Sequence, residues 1–349
     1  MAFRTLIIGA GFGTRVVKGC YEEAGMNVEV VSPRDPVAVR QACAEPFDLI
    51  SVHSPPFLHA QHVNWALDYD RNVLCDKPFG ISMSEARQML DRASEKGVIH
   101  LLNFEFRYDP GRARVKQIIS SGAIGKVTHI HWTFFNAGSR IPLRKHGWQF
   151  EREMGGGWIR INGTHMFDTL RWLVGEVVEV EARGRIDTRL RPDNDGVLHA
   201  STAEDGFAAF MTLDNGATVV IDTAWAVPGT LPDRWTVIGT DGMIEVAERI
   251  ELWVEPKVRD TEIRILSGGR EMVERVGPFE GDGHLPALRP WSRLVREAVS
   301  EHRQIEPSFA AGVAVSEVVD RLHAALSART QATATRQAAA DEAAPQLGS

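Results

Sequence analysis

The chain begins with a short apolar segment that runs directly into a glycine-rich turn. Residues 5–8 predict a β-strand, and the sequence GAGFGT follows at residues 9–14. A helix is predicted next, because apolar residues recur at helical spacing at Val16, Val17, Cys20, Tyr21 and Ala24. A strand, a glycine turn and a helix in this order are typical of a dinucleotide-binding βαβ unit.

Each position of this turn has a predicted task. Gly9 permits the tight turn, and Gly11 lets the backbone approach a pyrophosphate at the helix N-terminus. The third glycine position holds Thr14, which is small enough for close packing and offers a hydroxyl. We expect the cofactor to contact this turn through Gly9, Gly11, Phe12, Gly13, Thr14 and Arg15.

The end of the second predicted strand indicates which dinucleotide is preferred. NAD-dependent enzymes usually carry an acidic residue there, to hold the ribose 2′-hydroxyl. This chain has Ser32, and Arg34 two residues later, which suits a 2′-phosphate. NADP is therefore favoured and NAD remains possible. The alternative is a solvated loop in which Asp35 only caps the helix that Pro36 starts.

The third and fourth predicted strands bring further residues to the same sheet edge. Residues 48–52 lead to a rigid turn containing Ser54 and Pro55, beside the expected nicotinamide site, with His59 as a ribose contact or, equally, a helix cap. Residues 73–75 lead to Asp76 and Lys77, and a lysine just past a buried strand faces the crevice where open α/β sheets bind ligands. We predict that Lys77 is catalytic.

A fifth predicted strand, residues 98–104, leads to Glu105 and Arg107. Glu105 is a candidate to tune Lys77 or to hold the cofactor carboxamide, and a surface ion pair with Arg107 is the alternative. Arg107 is a candidate substrate contact. Repeated β–α units with short connections predict an α/β fold whose first domain, residues 1–124, is a doubly wound parallel Rossmann sheet.

Past residue 125 the pattern changes to alternating strands and hairpins. Asp214-Asn215-Gly216 and Asp241-Gly242 each separate two such strands. This predicts a second α/β domain, residues 125–329, with a large open, mainly antiparallel sheet. One face of that sheet is available for a homo-oligomer, a dimer or a tetramer. Helices are predicted at 291–299 and 312–326, the last with the option of packing back on the first domain, and a disordered tail at 330–349.

The richest segment of the second half is GGGWIRINGTHMFD, at residues 155–168. Three glycines predict a close backbone approach, and a helix follows. His165 is predicted at the start of that helix, where the dipole lowers its pKa and favours a neutral, catalytic imidazole. Asn162 is a candidate substrate contact. So is Trp148, in a basic loop that either binds a sugar acid or glycoside or is simply solvated.

Composition excludes several classes of function. The net charge of −7 and pI near 6.0 give no support to nucleic-acid or anionic-membrane partners. The sequence shows no apolar run long enough to span a bilayer. Three distant cysteines without a metal-binding spacing indicate reduced thiols, a cytoplasmic location and no metal cofactor.

Taken together, these motifs resemble the Gfo/Idh/MocA family, named after glucose–fructose oxidoreductase, inositol dehydrogenase and a rhizopine-catabolism protein. The resemblance rests on the glycine turn, on Cys75-Asp76-Lys77-Pro78, on Arg107-Tyr108-Asp109-Pro110, and on the 155–168 segment. It implies an active site between the two domains and secondary-alcohol chemistry on sugars, polyols or related cyclic compounds. The family's lysine and histidine fall on Lys77 and His165.

The chain departs from the family at one position. The acidic residue that the family places four residues before its histidine falls on Ile161, which cannot carry a proton. Two polar groups then remain of the usual three, and Lys77 is expected to handle more of the proton transfer. Three functions stay open: a dehydrogenase or reductase, a glycoside-cleaving enzyme that uses NAD transiently, and a non-catalytic Rossmann sensor.

Overall fold

A computed structural model of the chain describes residues 2–250 and 258–343. Its first sheet has five parallel strands in the order β2-β1-β3-β4-β5. Their bounds are β1 (Arg4–Ile8), β2 (Asn27–Val31), β3 (Leu49–Val52), β4 (Val73–Cys75) and β5 (His100–Leu102). The carboxyl ends of all five strands therefore meet at one edge of the sheet.

Helices cover both faces of this sheet, as a doubly wound fold requires. Leu6 and Ile8 of β1 belong to one apolar core, whereas Ile7 points into the other. This alternation arises because successive strand residues face opposite sides. The helices of this half are α1 (Lys18–Glu23), α2 (Pro36–Ala44), α3 (His59–Leu67), α4 (Met83–Lys96) and α5 (Pro110–Ser120). A π-helical turn, Gly13–Val17, precedes α1.

The second sheet has eight strands and is mainly antiparallel, as predicted. Its order is β15-β14-β13-β12-β6-β11-β10-β7, and β6 with β11 is its parallel pair. Both predicted hairpins, β10 with β11 and β12 with β13, are present. The strands are β6 (Val127–Phe135), β7 (Val177–Arg185), β10 (Gly206–Leu213), β11 (Thr218–Ala224), β12 (Asp233–Gly239), β13 (Gly242–Ile250), β14 (Val258–Ser267) and β15 (Arg270–Glu280), with a separate ribbon of β8 (Leu190–Pro192) and β9 (Leu198–Ala200).

Helix α6 (Thr164–Leu173) packs against this larger sheet. Its residues Met166, Phe167 and Leu170 are buried, and the ring centroid of Phe167 lies 6.2 Å from that of Phe207 on β10. This packing fixes the 155–168 segment against the sheet.

Two C-terminal helices, α7 (Leu285–Ser300) and α8 (Phe309–Ala343), differ from the sequence prediction. The sequence predicts that α7 begins after Pro290, but Pro290 lies inside the helix. Burial of Leu288 and Trp291 against the α1 side of the first sheet outweighs the helix-breaking tendency of the proline.

The last helix extends further than the sequence predicts. The sequence predicts disorder from residue 330, but α8 continues to Ala343, which fits the high helix propensity of an alanine-rich stretch. Residues 344–349 of that predicted tail lie outside the described residues. The start of α8 packs on the first domain, where the rings of Phe309 and Phe79 are 4.5 Å apart. The domain boundary at 124 and 125 stays a prediction.

Candidate active site

A chain of polar side chains crosses the first sheet and ends beside Lys77. The Tyr21 hydroxyl lies 2.8 Å from Ser51 Oγ, which lies 2.8 Å from His53 Nε2. His53 Nδ1 lies 3.1 Å from Asp76 Oδ2. These contacts join α1 to the carboxyl ends of β3 and β4, and they hold the Asp76 carboxylate in place.

Asp76 in turn organises the turn that carries the lysine. Its Oδ1 accepts hydrogen bonds from the backbone N–H of Lys77 (2.9 Å) and from Asn103 Nδ2 (3.2 Å). Burial by itself raises the pKa of Asp76, but the hydrogen bond to His53 and the charges of His53 and Lys77 outweigh it and lower the pKa to about 2. Asp76 is therefore a carboxylate at neutral pH.

Lys77 reaches from the first domain to the 155–168 segment. Its Nζ donates a hydrogen bond of 2.8 Å to the backbone carbonyl oxygen of Ile161. Burial lowers the pKa of Lys77, and the nearby carboxylates of Asp76 and Glu105 oppose that change. The ammonium group thus stands at the boundary between the two domains.

His165 is buried with neither ring nitrogen hydrogen-bonded to any described part of the chain. Its ring lies against Phe106, at 4.5 Å between centroids, and Phe104, at 6.2 Å. Burial lowers the pKa of His165 well below its ordinary value, and the positive charge of Lys77 adds to the effect. The imidazole is consequently neutral and has two ring nitrogens available to a ligand.

The sequence attributes this lowered pKa to a helix start, and the structure corrects that reason. Ile159–Gly163 is already a π-helical turn that continues into α6, so His165 does not lie at a free helix terminus. Burial and neighbouring charges are the cause instead. Since the segment is helical rather than extended, residues 161 and 165 lie on the same face.

Lys77 and His165 line one cavity of about 170 Å³. One wall is aromatic: the rings of Trp158 and Trp225 stack at 5.2 Å, and Phe134 lies 6.0 Å from Trp158. The remaining lining residues are mostly polar or charged: Phe106, Arg112, Asn136, Arg144, Gln149, Ile161, Asn162, Met166, Asp233 and His284. An aromatic wall opposite polar groups suits a ring-shaped, hydroxyl-bearing ligand.

Two candidate substrate residues do not line this cavity. Arg107 forms a two-point ion pair with the buried Asp168, with Nε–Oδ2 at 2.8 Å and Nη2–Oδ1 at 2.5 Å. Trp148 is likewise absent from the lining, and its neighbour Gln149 is present. Asn162 lines the cavity, and its contact with a substrate stays a prediction.

Glu105 contacts a residue that sequence reasoning missed. Its Oε1 lies 2.8 Å from His284 Nδ1, so the alternative of a surface pair with Arg107 is wrong. The ring of His284 stacks on Phe106 at 5.2 Å and meets Phe12 of the glycine turn edge-on at 4.9 Å. His284 precedes α7 far along the chain, and no local motif marks it.

The triple glycine makes the close approaches that the sequence predicts. A Cβ on Gly155 would lie 2.9 Å from Pro56 of the first domain. A Cβ on Gly157, whose φ is +104°, would lie 2.3 Å from the Glu204 carboxylate. These two positions require glycine, because each has a positive φ and a Cβ there would clash with neighbouring atoms.

The glycine turn fits a dinucleotide. A Cβ on Gly9 or on Gly13 would lie 2.9 Å from His53 Cβ, so the turn packs directly on the end of β3. Gly11 faces open space, and its N–H and that of Phe12 donate to no acceptor in the described part of the chain. Free N–H groups at the start of a helix are the donors that a pyrophosphate takes. Thr14 Oγ1 donates to the Gly9 carbonyl oxygen and closes the turn.

The other candidate cofactor residues differ in burial: some are inside the fold and some are exposed. His59 is buried, and its ring nitrogens lie 2.7 and 3.0 Å from the carbonyl oxygens of Ser54 and Pro78, which makes it a brace inside the fold. Pro55 precedes a short 3₁₀ turn at the end of β3. Ser32 and Arg34 are exposed at the end of β2, and Arg15 is exposed on the first helical turn.

Within residues 2–250 and 258–343, no cluster of three or more histidine, cysteine or acidic side chains is arranged to hold a metal. Across the same residues, no helix has both the length and the apolar character needed to cross a bilayer.

Comparison with known proteins gives the family. Residues 28–104 match the model described as "Oxidoreductase family, NAD-binding Rossmann fold", and residues 113–245 match the "GFO/IDH/MocA C-terminal domain". The chain belongs to the Gfo/Idh/MocA family. The two matches together cover more than half of the chain, although the glycine turn itself lies ahead of the first match.

Family relatives include sugar and inositol dehydrogenases. The levoglucosan dehydrogenase of Pseudarthrobacter phenanthrenivorans is 30% identical over 135 residues, 38% of this chain and 35% of its own length. The NAD⁺-dependent scyllo-inositol 2-dehydrogenase of Bacillus subtilis is 27% identical over 198 residues, 56% of this chain and 54% of its own. The chain spans between about a third and about half the length of three curated relatives that it matches.

The fold comparison agrees with the family assignment. A solved structure of levoglucosan dehydrogenase in complex with NADH and levoglucosan superposes with a TM-score of 0.80 over 93% of this chain and 97% of that one, at 20% identity. At that identity the likeness establishes the fold.

Proposed function

We propose that this protein is an NAD(P)-dependent oxidoreductase that interconverts a secondary alcohol and a ketone on a sugar, polyol, glycoside or related cyclic compound. One observation supports this most directly. The Lys77 ammonium and the unpartnered His165 imidazole line the same cavity, and His284 of its wall contacts Phe12 of the glycine turn. Alcohol oxidation requires a proton acceptor and a cation near one carbon.

When it is bound, the nicotinamide cofactor supplies the hydride acceptor for this reaction. His165, neutral because its pKa is low, takes the proton from the substrate hydroxyl. Lys77 donates a hydrogen bond to the same oxygen and stabilises the negative charge that develops there. In the direction of reduction, protonated His165 returns its proton to the oxygen, and the ammonium of Lys77 polarises the ketone oxygen.

The walls of the cavity support a carbohydrate-like substrate. Trp158 and Trp225 offer flat apolar faces for a sugar ring, and Asn136, Gln149 and Asn162 offer hydrogen-bonding groups for its hydroxyls. Relatives named for levoglucosan and scyllo-inositol, both cyclic polyhydroxy compounds, favour the same class. An apolar or aromatic substrate would leave these polar groups without partners.

The cofactor preference that we infer is NADP over NAD. Ser32 and Arg34 stand at the end of β2, where the adenosine ribose of a Rossmann cofactor lies, and neither supplies a carboxylate for a 2′-hydroxyl. The exposed guanidinium of Arg34 suits a 2′-phosphate.

The outer face of the larger sheet is our candidate for self-association. Val178 on β7 and Phe210 on β10 are both about half exposed there. We infer a homodimer or homotetramer through this face. Light scattering on the wild type and on Phe210→Asp tests this interface. A charge at position 210 should reduce the molar mass of the oligomer. A monomeric wild type would contradict the proposal.

The function itself is tested by turnover. The purified protein should reduce NADP⁺ or NAD⁺ with at least one compound from a panel of levoglucosan, scyllo-inositol, D-glucose, methyl glucosides and D-gluconate, followed at the reduced nicotinamide absorbance. Stoichiometric reduction favours the dehydrogenase. Glycoside cleavage without net reduction would favour the lyase or hydrolase alternative, and cofactor binding without either reaction would favour a sensor.

A further inference from the structure

A buried ionic cluster lies where α5 of the first domain meets the large sheet of the second, directly behind the cavity. Its members come from four elements: Asp109 and Arg112 at the start of α5, Asp233 on β12, Glu248 on β13 and Arg259 on β14. Arg112 Nε pairs with Glu248 Oε1 at 3.1 Å, and Arg259 pairs with Glu248 at 3.0 Å and with Asp109 at 3.1 Å. All five side chains are nearly inaccessible to solvent.

The cluster contains three carboxyl groups and two guanidinium groups. Its formal charge is therefore −1 when every member is ionised, and burial makes such an excess costly. Glu248 and Asp109 each form a close ion pair with an arginine, whereas Asp233 lies 3.7 Å from its nearest cation, Arg112 Nη2. Asp233 is thus the member of the cluster least compensated by a positive charge.

Asp233 is also the carboxyl group of the cluster that lines the cavity. Among the described residues that line the cavity it is the single acidic side chain, and Arg112 lines the cavity beside it. Its Oδ1 accepts a hydrogen bond of 2.5 Å from Trp132 Nε1. Its Oδ2 accepts no hydrogen bond from the described part of the chain, so this oxygen is available to a ligand.

The position of Ile161 makes this carboxyl group relevant to the chemistry. The family resemblance places an acidic residue there, and this chain presents only an apolar side chain and a carbonyl oxygen that Lys77 already occupies. The cavity nevertheless contains one acid, contributed from a strand 72 residues further along the chain.

We propose that Asp233 is a substrate-binding and proton-sharing residue of this cavity, which hydrogen-bonds a ring hydroxyl and takes the place of the acid that is missing at position 161. The proposal rests on the proposed function and deepens it, since it selects substrates with a second hydroxyl near the reacting one. No covalent step is involved: the carboxyl either donates to or accepts from that hydroxyl.

The charges around Asp233 make both forms accessible near neutral pH. Burial and the Glu248 carboxylate raise the pKa of Asp233 to about 7, against the opposing effects of Arg112, of the hydrogen bond from Trp132 and of Arg259. Lys77 faces the cavity from the first domain, His165 faces it from α6, and Arg144 and His284 are the other described charged or titratable groups that line it. Loss of the proton from Asp233 above this pH changes it from a donor to an acceptor, so substrate recognition should change there.

The test compares Asp233→Asn with wild type and with Asp222→Asn as the matched control, because Asp222 lies on β11 and does not line the cavity. With the best substrate of the panel, D233N should lower kcat/KM by at least about tenfold and remove an inflection near pH 7 from the kcat/KM profile. D222N should stay within about twofold and keep the inflection. The Kd for the cofactor should be unchanged in both variants.

A second variant covers the case in which D233N does not fold. Trp132→Phe removes the hydrogen bond that favours the ionised carboxylate, so the inflection should move to higher pH. Quenching of Trp158 and Trp225 fluorescence by levoglucosan and scyllo-inositol gives a binding readout independent of turnover, and it should weaken in D233N.

Each outcome decides. If the wild type turns over and D233N keeps both its kcat/KM and its inflection, the role of Asp233 is overturned and the proposed function stands. An inflection that does not move in W132F has the same consequence. A wild type that neither turns over nor binds any compound of the panel would overturn both.

Discussion

Lys77 donates its side-chain hydrogen bond, 2.8 Å long, to the backbone carbonyl oxygen of Ile161. The two residues come from different domains, 84 positions apart. Position 161 thus contributes its main chain to the site, while its isoleucine side chain contributes no polar group. The lysine is positioned across the domain boundary by an interaction that does not depend on which side chain stands at 161.

Replacement of Lys77 should abolish turnover without loss of cofactor binding. Lys77→Met removes the cation that stabilises the developing oxyanion, and a loss on the order of 10²–10³ in kcat is expected from that term alone. The matched control is Lys96→Met, because Lys96 lies on α4 and forms an exposed ion pair with Asp70. Initial rates and a cofactor titration measure the two effects, and full activity in K77M would contradict the mechanism.

An acid restored at position 161 should change the pH dependence and leave the lysine in place. In Ile161→Asp the new carboxylate lies one helical turn from His165 and favours its charged form. The pKa of His165 is well below its ordinary value in the wild type, so His165 should stay neutral and able to accept the substrate proton down to acidic pH. In I161D the pKa rises, and the acid limb of kcat/KM for oxidation should move to higher pH. Ile161→Asn, similar in size but uncharged, should leave the limb where it is.

Arg34 should discriminate between the two cofactors. Arg34→Ala removes the cation proposed to face the 2′-phosphate, so the Kd for NADP⁺ should rise at least about tenfold while that for NAD⁺ changes little. Arg40→Ala, an exposed arginine within α2, is the control. Calorimetric titration with both cofactors measures this, and equal effects on both would remove the preference for NADP.

Two glycines of the turn should respond differently to alanine. Gly9→Ala places a Cβ 2.9 Å from the Cβ and carbonyl oxygen of His53, and it should lower the free energy of unfolding by about 1–3 kcal/mol. Gly11→Ala meets open space, so it should leave the free energy of unfolding nearly unchanged and weaken cofactor binding. Urea unfolding and cofactor titration on both variants separate the structural effect from the binding effect.

Asp76 should contribute stability that depends on pH. Its pKa is about 2 in the folded protein, against an ordinary value of 3.8, so its contribution is complete above pH ~4 and is lost as the pH falls toward 2. The difference amounts to about 2 kcal/mol. The gap in unfolding free energy between wild type and Asp76→Asn should therefore be constant above pH ~4 and narrow as the pH falls toward 2. A gap that does not vary with pH would show that the carboxylate charge is not the cause.

Local sequence patterns were sufficient for the strands of the first sheet and for six strands of the second, whereas β8, β9, β14 and β15 were not predicted. The strand–glycine–helix start, the lysine after β4, the two hairpins and the close approach of the triple glycine are all present in the structure. They are predictable because periodicity, turn residues and the lack of a Cβ act within a few residues of one another. Even so, the predicted start of α7 was wrong, because packing of Trp291 outweighed the helix-breaking tendency of Pro290. The predicted end of α8 was also wrong, because the helix propensity of an alanine-rich stretch outweighed its low apolar content.

The sequence by itself determined that Lys77 and His165 are candidates, and that an acid is missing at Ile161. Only the tertiary structure decided which partner each of the other polar side chains binds and which of them reaches the cavity. Arg107 is held by Asp168, Glu105 is held by His284, and Asp233 reaches the cavity from β12. These partnerships join residues up to 179 positions apart. Pairing over such distances depends on how sheets and helices pack, and no local pattern in the chain encodes it.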